Sequence, residues 1–207
     1  MKLLMGKSSV GFWAGVFGLA FFSLTIPALA QYMGANTMGE VQPGLGGEQV
    51  AGRSMNTNSV SGHRETFFTE TGKTAEMDYQ LSQLAATQSS SDPVKGLAKQ
   101  ISAEYPSLIN ALNSTAQKAD VSFSGKLPKS FDKDKKKLQA LTGPDFDKAY
   151  LKTLEHNFKN QQTVNDRNSY ALNTVDLHQF GYAVAASAKS RLLQVQQLEK
   201  TGTVASK

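Results

Sequence analysis

Cysteine is absent from this chain of 207 residues, which removes disulfides, thiolate metal sites, thiol nucleophiles and lipid attachment through an N-terminal cysteine. Histidine occurs only at His63, His156 and His178. None of them closes a Glu-x-x-His motif, two of which a di-iron or di-manganese bundle requires. There is no Gly-x-Ser-x-Gly nucleophile turn, and no glycine-rich loop joins a strand to a helix to cradle a phosphate. Strand-like alternation of any length is also missing. Positive charge is in small excess. The net +5 falls to +3 for residues 31–207 once Lys2 and Lys7 are set aside, because residues 1–30 carry no acid. That is too little to point to nucleic acid as a partner.

What is present begins with a leader. Lys2 and Lys7 precede an uncharged run from Val10 to Ile26, and Pro27 then ends the apolar stretch ahead of Ala28-Leu29-Ala30. Small side chains at Ala28 and Ala30 have the shape of a signal-peptidase site. The spacing therefore predicts a cleaved signal peptide over 1–30 and export to an extracytoplasmic compartment. A retained membrane anchor is the alternative, since about 20 apolar residues can span a bilayer. No basic flank follows the run to stop its transfer.

Residues 31–63 are rich in Gly, Asn, Ser and Thr, with seven glycines between Gly34 and Gly62. They show no helical or strand period and too little apolar surface to offset the entropy of ordering. A flexible linker is expected there, with a glycan or wall-binding tether as the functional alternative. From Arg64 onward helical spacing takes over, and residues 64–200 are expected to form one domain, with a short disordered tail at 201–207. The first helix is read over 66–88. The second opens at Asp92-Pro93, a cap acceptor followed by proline at the first helical position. Its inward stripe is Val94, Leu97, Ala98, Ile101, Tyr105, Leu108, Leu112 and Ala116. A short basic helix is expected over 130–141, then two long ones over about 145–170 and 174–199. Four long segments with one apolar face each predict an all-α, antiparallel up-down-up-down four-helix bundle.

Several polar residues fall on the predicted inner faces. Asn157, Gln161 and Asn168 do so on the helix over 145–170, Tyr105 in the second stripe and Arg191 in the last. A buried guanidinium needs a carboxylate, because an unpaired charge in an apolar interior costs several kcal/mol. Glu70, Glu76, Asp78 and Glu104 are the candidates, with a head that snorkels to the rim as the alternative. The expected interior feature is thus a polar cluster of Glu76, Tyr105, Asn157, Gln161 and Arg191, structural in role. On a wheel of about 100° per residue, His156 and His178 sit off their apolar stripes and read as surface histidines. The lysines at 133 and 135–137 read as a solvated helix face, with weak contact to anionic lipid as the rival.

Four stretches carry a likeness to a known family: Ala75-Glu76 with Leu84-Ala85; Val94, Leu97-Ala98 and Ile101; Leu141-Thr142-Gly143 with Phe146-Asp147-Lys148-Ala149-Tyr150; and Arg191-Leu192 to Leu198. Over 67–198 the chain resembles a bacterial family of exported proteins of unknown function, often labelled outer-membrane proteins, with a ferritin-like domain. The resemblance implies residence in the periplasm or at the outer membrane of a Gram-negative bacterium. It also implies inward histidines at a few positions, where this chain holds Tyr105, Phe158 and Arg191, while Glu76 keeps the family's acid. A metal held by those histidines would have been lost here. The combined expectation is an exported envelope bundle with a non-catalytic binding or stress-related structural role, an envelope component as partner, and no cofactor, metal ion or catalytic residue. A metal-binding ferritin-like protein and a membrane-surface accessory protein are the alternatives.

Overall fold

The computed structural model describes residues 57–204, and their side chains over 59–202. The expected signal segment with Ala28 and Ala30, the linker up to residue 56, and the tail beyond 204 lie outside the described residues. Within them the chain is all-helical: α1 Thr57–Gln88, α2 Asp92–Lys118, α3 Lys129–Gln139, α4 Gly143–Asn168, a 3-10 turn Ser169–Ala171, and α5 Val175–Val204. No strand occurs among the described residues.

Two boundaries differ from expectation, and tertiary contact accounts for the first. The first helix begins at Thr57, within the stretch expected to be linker. Its opening turns are anchored on the end of α4 and the 3-10 turn: His63 Nδ1 bonds Asn168 Oδ1 at 2.8 Å, and Arg64 donates to the Ala171 carbonyl and to Asn173 Oδ1. These bonds hold residues of poor helix propensity in a helix. At the other end α5 runs on to Val204, past the start of the expected tail.

Direction follows from side-chain register. Between α1 and α4 the bonded pairs are Thr71 with Gln161, Asp78 with Asn157 and Ser82 with Tyr150. One number rises as the other falls, so these helices are antiparallel. The α1–α2 pair, joined by three residues, is also antiparallel, as is α4–α5, where Gln196 bonds Glu155 and Gly181 lies beside Asn165. Hence α2 and α4 run the same way. The up-down-up-down order expected from the sequence is corrected to up-down, then a crossover, then down-up. Segment 119–142 is that crossover. It returns along α1, with Phe123 against Phe68 and over Gly72, Lys135 bonded to Gln80, and Gln88 bonded to the carbonyls of Gln139 and Leu141.

Two apolar clusters fill the interior. One gathers Ile101, Phe146, Tyr150, Leu154, Phe158 and Val195 toward the α1–α2 turn. The other gathers Phe67, Phe68, Leu112, Leu172, Leu177 and Phe180 at the opposite end. Leu112 is 1% exposed, so Leu112→Ala should lower the unfolding free energy by about 2–5 kcal/mol, read from chemical denaturation. Phe131 and Leu138, both buried, pin α3, while Lys129, Lys133, Lys136 and Lys137 are exposed.

Candidate functional site: a buried polar seam

The spacing of polar residues in α1 and α4 is unusual for a core. Thr71, Asp78 and Ser82 on α1 are buried, as are Tyr150, Asn157, Gln161 and Asn168 on α4. Steps of seven and four keep each set on one helix face, so the two faces meet rung by rung. Gln161 Nε2 donates to Thr71 Oγ1 at 2.8 Å, Asn157 Nδ2 donates to Asp78 Oδ1 at 2.6 Å, and the Ser82 and Tyr150 hydroxyls are hydrogen-bonded to each other at 2.7 Å. Past the end of α1, Ser90 Oγ donates to Asp147 Oδ2 at 2.6 Å. Each rung offsets the desolvation of two polar groups at once. Together they penalise any slip of α4 against α1, which would leave every rung unpaired.

Asp78 is the exceptional member. Its side chain is fully buried, and Oδ2 has no hydrogen-bond partner. Burial away from water disfavours the charged form and pushes its pKa up to about 8, against the downward pull of the Asn157 bond. At neutral pH the carboxyl is therefore mostly protonated. Tyr105, on α2, is pushed well above the usual phenol range, first by burial and then by the nearness of Asp78. Tyr150 is raised as well, chiefly by burial. Both phenols stay neutral.

Arg191 enters from α5. Its side chain is 6% exposed, and its guanidinium donates to the Glu104 carboxylate on α2 and to Gln194 Oε1. Glu104 is 28% exposed, so the pair joins a buried cation to a partly hydrated anion. Of the four carboxylates expected to compete for Arg191, the structure places Glu104 there.

Of the expected cluster, Tyr105, Asn157, Gln161 and Arg191 are all buried in the interior. Glu76 is not part of it. It is half-buried and accepts a bond from Gln80 one turn on. Positions 76 and 78 differ by about 200° around a helix, so with Asp78 inside, Glu76 must lie outside. Thr71, Ser82 and Tyr150 went unrecognised as seam members, although the matching steps of seven and four on α1 and α4 carry the signal. Phe158 is core, and His156 and His178 are exposed. Among the described residues no group of three or more His, Cys, Asp or Glu is placed to hold a metal ion.

A space of about 20 Å3 lies beside Asp78, lined also by Thr71, Tyr105, Gln161 and Ala188. That is room for one water-sized particle.

The family model described as a domain of unknown function, DUF4142, matches residues 49–198. The chain belongs to this family. The match takes in the whole seam, from Thr71 to Arg191, so the polar interior is part of the DUF4142 domain. No curated protein and no solved structure matches the chain.

Proposed function

We propose that this chain is an exported cell-envelope protein of a Gram-negative bacterium, whose DUF4142 domain is a ferritin-like four-helix bundle with a non-catalytic binding or structural role. The single long crossover between α2 and α4 supports the ferritin-like reading, since that connection distinguishes such bundles from simple up-and-down ones. The observation that carries the non-catalytic reading is the composition of the seam. Where di-metal bundles place four carboxylates and two histidines, this interior's buried polar groups include two well-separated carboxyls, Asp78 and Asp147, three amides, two phenols and an arginine paired with Glu104. Its polar groups bond chiefly to one another, which suits a register device better than a reaction centre. The export reading rests on the leader: two lysines, the uncharged run, and the Ala28-Leu29-Ala30 site.

Expression of the full chain in a Gram-negative host, followed by fractionation, mass measurement and elemental analysis, tests both halves. The expected product is a periplasmic chain cut after Ala30. It emits as tyrosine alone because Trp13 is the only tryptophan, and it holds iron, manganese and zinc far below one per chain. Stoichiometric metal of any of these three would overturn the non-catalytic reading, and an uncut cytoplasmic chain would overturn export.

A further inference from the structure

The outer face of α5 carries apolar residues that no neighbour in the bundle covers. Val175, Tyr182 and Leu193 are 71%, 72% and 59% exposed, and of the exposed large hydrophobic residues among those described only Tyr170 lies elsewhere. Steps of seven and eleven return to the same helix face, and Ala186, also exposed, falls on it between Tyr182 and Leu193. The opposite face holds the buried residues Val184, Ala188, Arg191 and Val195. The four outer residues therefore form a ridge about 27 Å long that points away from the core. Exposed apolar residues scattered singly are ordinary, but three large ones in line on one helix mark a surface of contact.

The spacing says what fits this surface. Val175 and Leu193 lie equally far from position 184, and so do Tyr182 and Ala186. A ridge with that symmetry is matched by its own copy run in the opposite direction, because a two-fold contact requires residue i to meet j while j meets i. In that register Val175 lies level with the partner's Leu193, and Tyr182 with the partner's Ala186, so a large side chain faces a small one. Ala183 and Ala185 flank the centre and let the two backbones come close. Gln179 and Lys189 interrupt the ridge and lie level with each other across it, so the lysine meets an amide. The two copies of Lys189 are about 15 Å apart along the axis, beyond the screening length of about 8 Å at physiological salt. A parallel pairing would instead set Lys189 against its twin, a juxtaposition of like charges that opposes contact. A strip about 27 Å long and about 10 Å wide covers on the order of 300 Å2 of each copy. That is the size of a transient contact and not of an obligate dimer.

We infer that two copies of this chain associate by antiparallel pairing of their α5 outer faces, centred on position 184, in a dimer that forms and dissociates with concentration. The inference needs neither export nor a metal-free interior, and stands or falls apart from the functional reading above.

Sedimentation velocity of the purified full chain, from about 10 μM to about 1 mM, tests the association. The weight-average mass should rise from one chain toward two. Tyr182→Lys combined with Leu193→Lys should hold it at one chain and leave the unfolding midpoint unchanged, since both residues are exposed. Register is read by cysteine pairing, which a chain without native cysteine permits. In Val175→Cys combined with Leu193→Cys the two thiols of one chain are about 27 Å apart, too far to join each other. Mild oxidation should therefore give a covalent dimer closed by two disulfides between chains. Val175→Cys alone should stay monomeric under the same treatment, because its twin also lies about 27 Å away. A mass of one chain at every concentration would overturn the proposal, as would association that survives the lysine substitutions. Covalent dimers formed as readily by the single cysteine variant as by the double one would overturn the antiparallel register.

Discussion

Asp78→Asn should make the protein more stable, and by an amount that grows with pH. In the folded state Asp78 has a pKa of about 8, against 3.8 for the free side chain. A raised carboxyl pKa means the folded state holds a proton that the unfolded chain has released. The contribution is therefore fully present below the unfolded value, is lost progressively as pH rises toward the folded one, and is gone above it. At about 1.4 kcal/mol per unit, the window from about pH 4 to pH 8 is worth on the order of 5 kcal/mol. Asparagine keeps the carbonyl that accepts from Asn157 and cannot ionise, so the variant loses this slope. The two proteins should have similar unfolding free energies near the acid end and diverge steadily toward about pH 8. Denaturant titrations read the difference directly. A difference that stays constant with pH would mean the carboxyl is ionised throughout.

The second large effect is an asymmetry across the Arg191–Glu104 pair. Glu104→Ala leaves a guanidinium, 6% exposed, with only Gln194 as an acceptor. An orphaned charge at that depth should cost about 3–5 kcal/mol. Arg191→Met removes the cation and fills its space with a flexible apolar chain. Glu104, 28% exposed, can then turn to water, and the cost should be nearer 1–2 kcal/mol. Removing both charges, as Glu104→Leu with Arg191→Met, should restore most of the loss, because the pair's attraction offsets its desolvation only in part. A chemical-denaturation cycle over the three variants reads the asymmetry. Equal costs for the two single changes would show that the cation is as well hydrated as the anion.

The inward polar residues were legible because a helix repeats its faces at a fixed angle. Tyr105, Asn157, Gln161 and Arg191 fall on apolar stripes, and the fold places each of them inside. The acid of the cluster was not legible in the same way. Glu76 and Asp78 both lie near the turn of α1 that faces Tyr105, and only the packed helix decides which one is inside. The fold takes the shorter side chain, which fits between Asn157 and the small space lined by Ala188, and leaves the longer one to Gln80.

The topology was hidden for a different reason. An apolar stripe says that a helix needs a neighbour and says nothing of its direction. Direction is set by the link between α2 and α4, and this link is long enough either to turn back or to cross the bundle. What makes it cross is specific contact: Phe123 over Gly72, then Phe131 and Leu138 buried along the way. Hydrophobic residues at 121, 123, 127, 131, 138 and 141 in an otherwise lysine-rich stretch read as a weak amphipathic segment, and its partner is not written in it. The start of α1 shares this limit. Residues 57–63 lack a helical stripe, and this end of α1 is anchored through His63 and Arg64 on Asn168, Tyr170, Ala171 and Asn173, far away in sequence.

The seam joins these threads. Its rungs set the register of α4 on α1, and the carboxyl of Asp78 is held in a protonated form by the same burial that keeps the rungs intact. Carbon-13 NMR titration of the aspartate carboxyls in the purified chain observes that state without perturbing it. One aspartate should change shift with a midpoint near 8, and that resonance should vanish in Asp78→Asn. If every aspartate instead titrates in the ordinary range near 4, the carboxyl of Asp78 is solvated and the buried seam is not there.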